Sequence, residues 1–213
     1  MKCDPETMLL YAVTDRAWTG KQTLYQQVES ALKGGVTCVQ LREKELDEAA
    51  FLAEAKEIGG LCRSYGVPFI VNDSVEIALA CGADGVHVGQ SDMDTGQVRG
   101  LVGGRLMIGV SARTVEEALR AQRAGADYLG VGAMFATSTK PDAKAVSRQT
   151  LKDICSAIDI PVVAIGGISR DNILELSGTG IDGVALVSAI FAAGDIENRC
   201  RELKELARRA VGL

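Results

Sequence analysis

Short apolar, β-branched runs alternate with longer amphipathic segments along the whole chain. The runs at 9–14, 38–42, 68–72, 85–89, 107–111, 128–134, 161–166 and 183–188 are too short and too evenly hydrophobic for surface strands. They predict parallel strands covered on both faces by helices. Between them, 47–65, 114–124 and 149–158 carry helical periodicity, and 195–211 closes the chain as a mixed-charge amphipathic helix. Eight strands, each followed by a helix, predict an α/β fold, a single (β/α)8 barrel. A doubly wound open sheet is the alternative; eight units in 213 residues with no break in composition favour closure.

A repeated phrase supports the count. Gly34-Gly35-Val36-Thr37-Cys38-Val39, Gly82-Ala83-Asp84-Gly85-Val86, Gly125-Ala126-Asp127-Tyr128-Leu129 and Gly180-Ile181-Asp182-Gly183-Val184 share one grammar. A glycine ends a helix in the left-handed conformation, a turn follows and a strand begins. The phrases lie roughly two βα units apart and so introduce strands 2, 4, 6 and 8. No linker or low-complexity stretch divides the chain, and 1–213 reads as one catalytic domain.

Composition narrows the class. An apolar share of 47% with 24% charged residues is that of a globular protein, and a net charge of −5 argues against a broad grip on nucleic acid. The six cysteines show no short metal-binding spacing and predict reduced, partly buried thiols. The first residues lack the apolar core of a signal peptide, and no run is long enough to span a membrane, so a cytoplasmic protein is expected.

In such a barrel, chemistry belongs at the carboxyl ends of the strands, where all eight loops meet. Strand 2 ends Gln40-Leu41-Arg42-Glu43-Lys44, and the two-residue period puts an amide and two cations on one face. Such a triplet suits a polyanion such as diphosphate; the plainer alternative is a strand end paired with Glu43 or Glu45. Asp73 and Asp92 end neighbouring strands and are candidate ligands for one hard cation, against helix capping as the ordinary role for an aspartate before Ser74. Gly166-Gly167 and Ser188 occupy the usual barrel phosphate site, where backbone amides hold the anion and a Cβ would keep it away, though glycines also serve close packing. The one histidine, His87, lies mid-strand, facing either the barrel interior or the helices, and reads as a satisfied histidine ahead of a general base. No Cys-His or Ser-His-Asp grouping is legible.

These rim residues resemble the thiamine phosphate synthase (thiamine-phosphate diphosphorylase) family over nearly the whole chain. The resemblance rests on Val39-Gln40-Leu41-Arg42-Glu43-Lys44, Val71-Asn72-Asp73, His87-Val88-Gly89-Gln90-Ser91-Asp92, Gly109-Val110-Ser111, Thr137-Ser138-Thr139-Lys140 and Ala164-Ile165-Gly166-Gly167-Ile168. It implies a transferase of thiamine biosynthesis. Such an enzyme joins hydroxymethylpyrimidine diphosphate to a thiazole phosphate, or its carboxylated form, and releases diphosphate. By motif it implies Gln40, Arg42, Lys44, Asn72, Ser111 and Lys140 as pyrimidine diphosphate ligands, with Arg42, Lys44, Lys140 and Ser111 catalytic. It implies Asp73 and Asp92 as ligands of one Mg²⁺, and Thr137, Thr139, Gly167, Val187 and Ser188 as the thiazole phosphate site. The implied path is dissociative: diphosphate leaves first and the thiazole nitrogen traps a pyrimidinyl-methyl cation. The expected partners are small molecules, with neither nucleic acid nor membrane, and a homo-oligomer is compatible. Met134-Phe135-Ala136-Thr137 departs from the family pattern, which touches loop shape and no charged ligand.

Three rivals remain. A thiazole tautomerase would bind thiazole phosphate without needing Arg42, Lys44, Lys140 and both aspartates. A phosphate-ligand sensor would gain nothing from leaving-group residues. A sugar-phosphate isomerase or lyase would want a base or Schiff-base lysine within a strand, and none is evident.

Overall fold

A computed structural model describes residues 3–20, 22–90, 92–137 and 145–213. Its elements alternate β1 (Leu10–Val13), α1 (Leu24–Lys33), β2 (Cys38–Leu41), α2 (Glu48–Ser64), β3 (Phe69–Asn72), α3 (Val75–Cys81), β4 (Gly85–Val88), α4 (Thr95–Val102), β5 (Met107–Ala112), α5 (Val115–Arg123), β6 (Tyr128–Val131), α6 (Arg148–Ala157), β7 (Val162–Ile165) and β8 (Gly183–Leu186). Two helices, α7 (Ser188–Phe191) and α8 (Ile196–Val211), end the chain. All neighbouring strands are parallel, and β8 pairs with β1 to close the barrel. The open-sheet alternative is thereby excluded.

The strands are short because each is buried on both sides, leaving no polar face to advertise a period. One face joins the helices in a large apolar layer that includes Leu10, Val39, Val86, Ile108 and Leu129. The other fills the barrel floor with Met8, Tyr11, Cys38, Ile70, Met107, Tyr128 and Val163. Gly109 leaves the space that the Tyr128 ring and the His87 imidazole occupy, and a Cβ there would overlap both. Polar N-caps start every α-helix except α7, including a full capping box at Thr23 and Gln26 before α1 and Asp47 before α2.

The repeated phrase has a structural purpose beyond the turn. Its glycines Gly35, Gly82, Gly125 and Gly180 take φ of 90°, 68°, 96° and 90°, which side chains resist. The polar residue two or more places later then reaches back to the preceding odd strand. Thr37 Oγ1 accepts from Leu10 N at 2.9 Å, and Asp84 Oδ2 from Phe69 N at 2.9 Å. Asp127 and Asp182 accept from Ile108 N and Val162 N, each at 2.8 Å. The same four residues return their own amides to the carbonyls of Leu10, Phe69, Ile108 and Val162. Each even strand is thus stitched to its predecessor at the amino end, where an unpaired strand amide would otherwise be buried.

The expectation of a helix after every strand is corrected at one place. Between β7 and β8 only a single 3-10 turn forms, at Ile173–Leu176. Glycines Gly166, Gly167, Gly178 and Gly180 adopt positive φ at both ends of this connection, a conformation that a continuous right-handed helix does not contain. Strand 6 also ends at Val131, short of the expected 134. Beyond it the backbone still bonds to β7 irregularly, through Met134 N to Ile165 O and Phe135 N to Gly166 O, both 3.0 Å. Among the described residues no helix is long and apolar enough to cross a membrane.

If the back-reaching carboxylates hold the strand starts, Asp84→Ala, Asp127→Ala and Asp182→Ala each lower unfolding free energy by about 1–3 kcal/mol, the cost of stranding a buried amide. Urea titration reads this as a lower midpoint at unchanged slope, against a shift under about 0.5 kcal/mol for the exposed Glu205→Ala.

Candidate active site

The carboxyl-end rim encloses a cavity of about 680 Å³, within the range of small-ligand sites. It is lined by every described residue that the sequence placed at the site: Gln40, Arg42, Lys44, Asn72, Asp73, Asp92, Ser111, Thr137, Gly167, Val187 and Ser188. Thr139 and Lys140 lie outside the described residues. Arg113, His87, Tyr11 and Tyr128 also contribute to its wall.

On the β2 side, backbone and side chains hold the cation-bearing loop. Thr14 extends the β1–β2 ladder: its amide donates to Gln40 O at 2.9 Å, and its hydroxyl accepts from Arg42 N at 3.0 Å. Glu43 does not pair with the cations of its own strand. Its Oε2 accepts two bonds from Arg16, at 2.9 and 2.6 Å, while Oε1 accepts the Lys44 and Glu45 amides, both at 2.7 Å. Arg16 also grips Glu54 on α2 at 2.8 and 2.9 Å. Burial alone would raise the Glu43 pKa, but the Glu45 and Lys44 amides and the Arg16 guanidinium together hold it below the ordinary glutamate value. Glu54, with burial dominant and a second carboxylate near, is raised instead. With Glu43 spent on Arg16, Arg42 makes a loose contact with Asp15 at 3.7 Å, its one ion pair among the described residues, and Lys44 pairs with Asp73 across the rim.

Asp73 is the one described non-glycine residue at positive φ, 65°, a conformation aspartate tolerates better than most. The helix cap that was the alternative role for it is supplied by Ser74, whose hydroxyl accepts from Ile77 N at 3.2 Å. Asp92 also leaves capping to another residue, since Asp94 caps α4. Its Oδ2 closes the rim turn by accepting from Gly89 N at 2.6 Å. Two hard carboxylates beside two cations suit Mg²⁺, which takes one or two protein carboxylates and fills its remaining positions with phosphate oxygens and water. Among the described residues no group of three or more His, Cys, Asp or Glu side chains forms a closed metal cage, which the same chemistry does not require.

Across the cavity, Gly166 and Gly167 adopt φ of 96° and 66°. A Cβ at Gly166 would meet Ala133, and one at Gly167 would meet the Phe135 and Ala136 carbonyls, so close packing accounts for both glycines in its own right. The same bare backbone lines the cavity beside Val187 and Ser188, with Ser188 opening α7. Asn172 shapes this loop by donating to Gly167 O at 2.9 Å and accepting from Ser169 N at 2.8 Å.

His87 faces the interior. Its Nδ1 lies 3.1 Å from Tyr128 Oη and its Nε2 3.0 Å from Ser111 Oγ. Tyr128 Oη lies 2.8 Å from Tyr11 Oη, which accepts from Gln40 Nε2 at 2.8 Å. Burial raises both phenols well above their usual pKa, so both stay protonated. Sequence reading passed over Tyr11, Tyr128 and Arg16. The two tyrosines could have been found from parity, since Tyr11 and Val13 share one face of β1; the pairing of Arg16 with Glu43 left no such trace.

The family model for thiamine monophosphate synthase matches residues 10–190. A thiamine-phosphate synthase from Ruminiclostridium cellulolyticum is 50% identical over 197 residues, covering 92% of this chain and 94% of the relative. One from Clostridium acetobutylicum is 48% identical over 200 residues, covering 94% and 95%. The solved thiamine phosphate pyrophosphorylase from Pyrococcus furiosus superposes with a TM-score of 0.90 at 38% identity, covering 98% of this chain and 99% of its own. With the matched region running from the first residue of β1 into α7, and so through every loop of the rim, the chain belongs to the thiamine monophosphate synthase family.

Proposed function

We propose that this chain makes thiamine phosphate, joining a hydroxymethylpyrimidine diphosphate to a thiazole phosphate, or its carboxylated form, with release of diphosphate. The observation that carries the reading is the pairing of two anion-suited places across one cavity. Arg42, Lys44, Asp73 and Asp92 lie on one side, and the Gly167, Val187 and Ser188 backbone on the other. A tautomerase or a sensor has no use for the first of these.

The bond to break joins the pyrimidine methylene carbon to a diphosphate oxygen, and its electron pair leaves with the diphosphate. Arg42 and Lys44, together with Lys140 by the family motif, stabilise the charge that gathers there, as fixed groups needing no reorganisation. Mg²⁺, when bound, supplies Lewis-acid neutralisation of the same charge, with Asp73 and Asp92 as its protein ligands. Gln40, Asn72 and Ser111 orient the pyrimidine. Thr137, Thr139, Gly167, Val187 and Ser188 hold the thiazole by its phosphate, so that its nitrogen meets the electron-poor carbon within one enclosure. No strong base is required, which agrees with an imidazole already engaged at both nitrogens. Six free cysteines, with burial pushing Cys3, Cys62, Cys155 and Cys200 up to about 12, support a reducing, cytoplasmic setting.

Incubation of the protein with both substrates and Mg²⁺ yields thiamine phosphate by mass spectrometry; isomerisation of the thiazole without coupling would overturn the reading. Lys44→Ala and Asp92→Ala each lower kcat about 10²–10³-fold with unchanged circular dichroism, the usual cost of deleting a charge-stabilising group. Chelation with EDTA abolishes turnover, and added Mg²⁺ restores it. Because Glu43 brackets the Lys44 amide, Glu43→Ala and Arg16→Ala each lower kcat/KM for the pyrimidine diphosphate roughly tenfold, equivalent to about 1.4 kcal/mol.

A further inference from the structure

The barrel interior below the cavity carries a continuous run of side-chain hydrogen bonds contributed by five different strands. Gln40 on β2, Tyr11 on β1, Tyr128 on β6, His87 on β4 and Ser111 on β5 follow one another at 2.8, 2.8, 3.1 and 3.0 Å. The donor inventory fixes its direction. Gln40 Nε2 can only donate, so Tyr11 Oη accepts at that end. The Tyr11 proton then has two places to go: the Tyr128 oxygen, or the Cys38 sulfur that also contacts the Tyr11 hydroxyl. Sulfur is the weaker acceptor, so the oxygen takes it. Tyr128 in turn donates to His87 Nδ1, which must be bare. The ring proton sits on Nε2 and points at Ser111 Oγ, and the serine turns its own proton outward.

We propose that Tyr11 and Tyr128 are positioning residues. Through this one-way chain they hold His87 as the neutral Nε2–H tautomer and present the Ser111 hydroxyl to the cavity as a donor. The opposite polarity would spend the Tyr11 proton on sulfur and leave Ser111 an acceptor. The chain therefore determines which ligand edge the wall accepts. Gln40 spends one of its two N–H groups on Tyr11 and still carries the acceptor Oε1, while Ser111 offers a donor. A heteroaromatic edge with an exocyclic N–H beside a bare ring nitrogen complements that pair. This last step rests on the pyrimidine reading above; the polarity of the chain does not. Gly109 and Gly130 belong to the same device, because a Cβ at Gly109 would overlap Tyr128 and His87, and one at Gly130 would lie 3.1 Å from the His87 ring.

The sequence makes the test clean, since His87 is the only histidine in the chain. With isotopically labelled histidine, two-bond nitrogen–proton correlation spectra of the ligand-free protein at neutral pH should show a protonated Nε2 and a bare Nδ1. A ring protonated at Nδ1, or at both nitrogens, overturns the proposal without any substrate. In Tyr128→Phe the donor to Nδ1 is gone, and the spectrum should move to a mixture of tautomers. In steady-state kinetics, Tyr128→Phe and Tyr11→Phe should each raise KM for the pyrimidine diphosphate about three- to tenfold, the worth of one oriented hydrogen bond. KM for the thiazole phosphate should stay within about twofold, whereas a merely structural role would move both together. Equal effects on both substrates, or none, overturn the positioning role. A folded wild type that shows the Nε2–H tautomer but couples no substrates overturns the pyrimidine reading and leaves the polarity standing.

Discussion

A closed parallel barrel has no edge, and that constraint governs the rest of the molecule. With β8 paired to β1, each strand's backbone groups bond to two neighbours, and all eight carboxyl ends point to one rim. The strands can then be four to six residues long and apolar on both faces, because nothing but their ends must meet water. The amino ends are secured by Thr37, Asp84, Asp127 and Asp182, each bonding back to the strand before. Fixing that end of each pair leaves the other end available for polar side chains with no part in holding the sheet together.

The interior is graded along the barrel axis. Cys3, Met8, Cys38, Ile70 and Met107 make the floor dry. Above them Tyr11 and Tyr128 present apolar rings downward into that cluster and hydroxyls to one another, so the first polar layer costs little desolvation. His87, Gln40 and Ser111 continue the polar layer to the cavity. The charged residues stand only at the outermost turn of chain, where a bound anion and water can share the burden of solvating them.

Support for the charged rim comes from the opposite direction. Arg16, after β1, clamps Glu43 after β2 and Glu54 on α2, and Glu43 in turn holds the amides of Lys44 and Glu45. An acidic residue between two cations would ordinarily neutralise them. Here it is buried against Arg16 and satisfied there, so that Arg42 and Lys44 turn to Asp15 and Asp73 at the rim instead.

The eight-strand count, the glycine turns before even strands and the rim positions of the described site residues were all legible along the chain. They depend on local periodicity and on where a strand stops, and a strand of period two reports which residues share a face. The helix missing after β7 was not legible, because the positive-φ glycines flanking that connection read in sequence like glycines that cap a helix. The direction of His87 was open too: both faces of its strand are buried, so hydrophobic pattern carries no sign. Ser74 rather than Asp73 proved to cap α3, a choice set by the left-handed turn at Asp73 and its partner Lys44 in the loop after β2. The pairing of Arg16 with Glu43 and the chain from Gln40 to Ser111 join residues 24 to 117 positions apart in sequence. Sequence determined which chemistry each strand carries to the rim; only closure of the barrel decided which of those groups touch, because side chains from five strands meet solely in the space that closure creates.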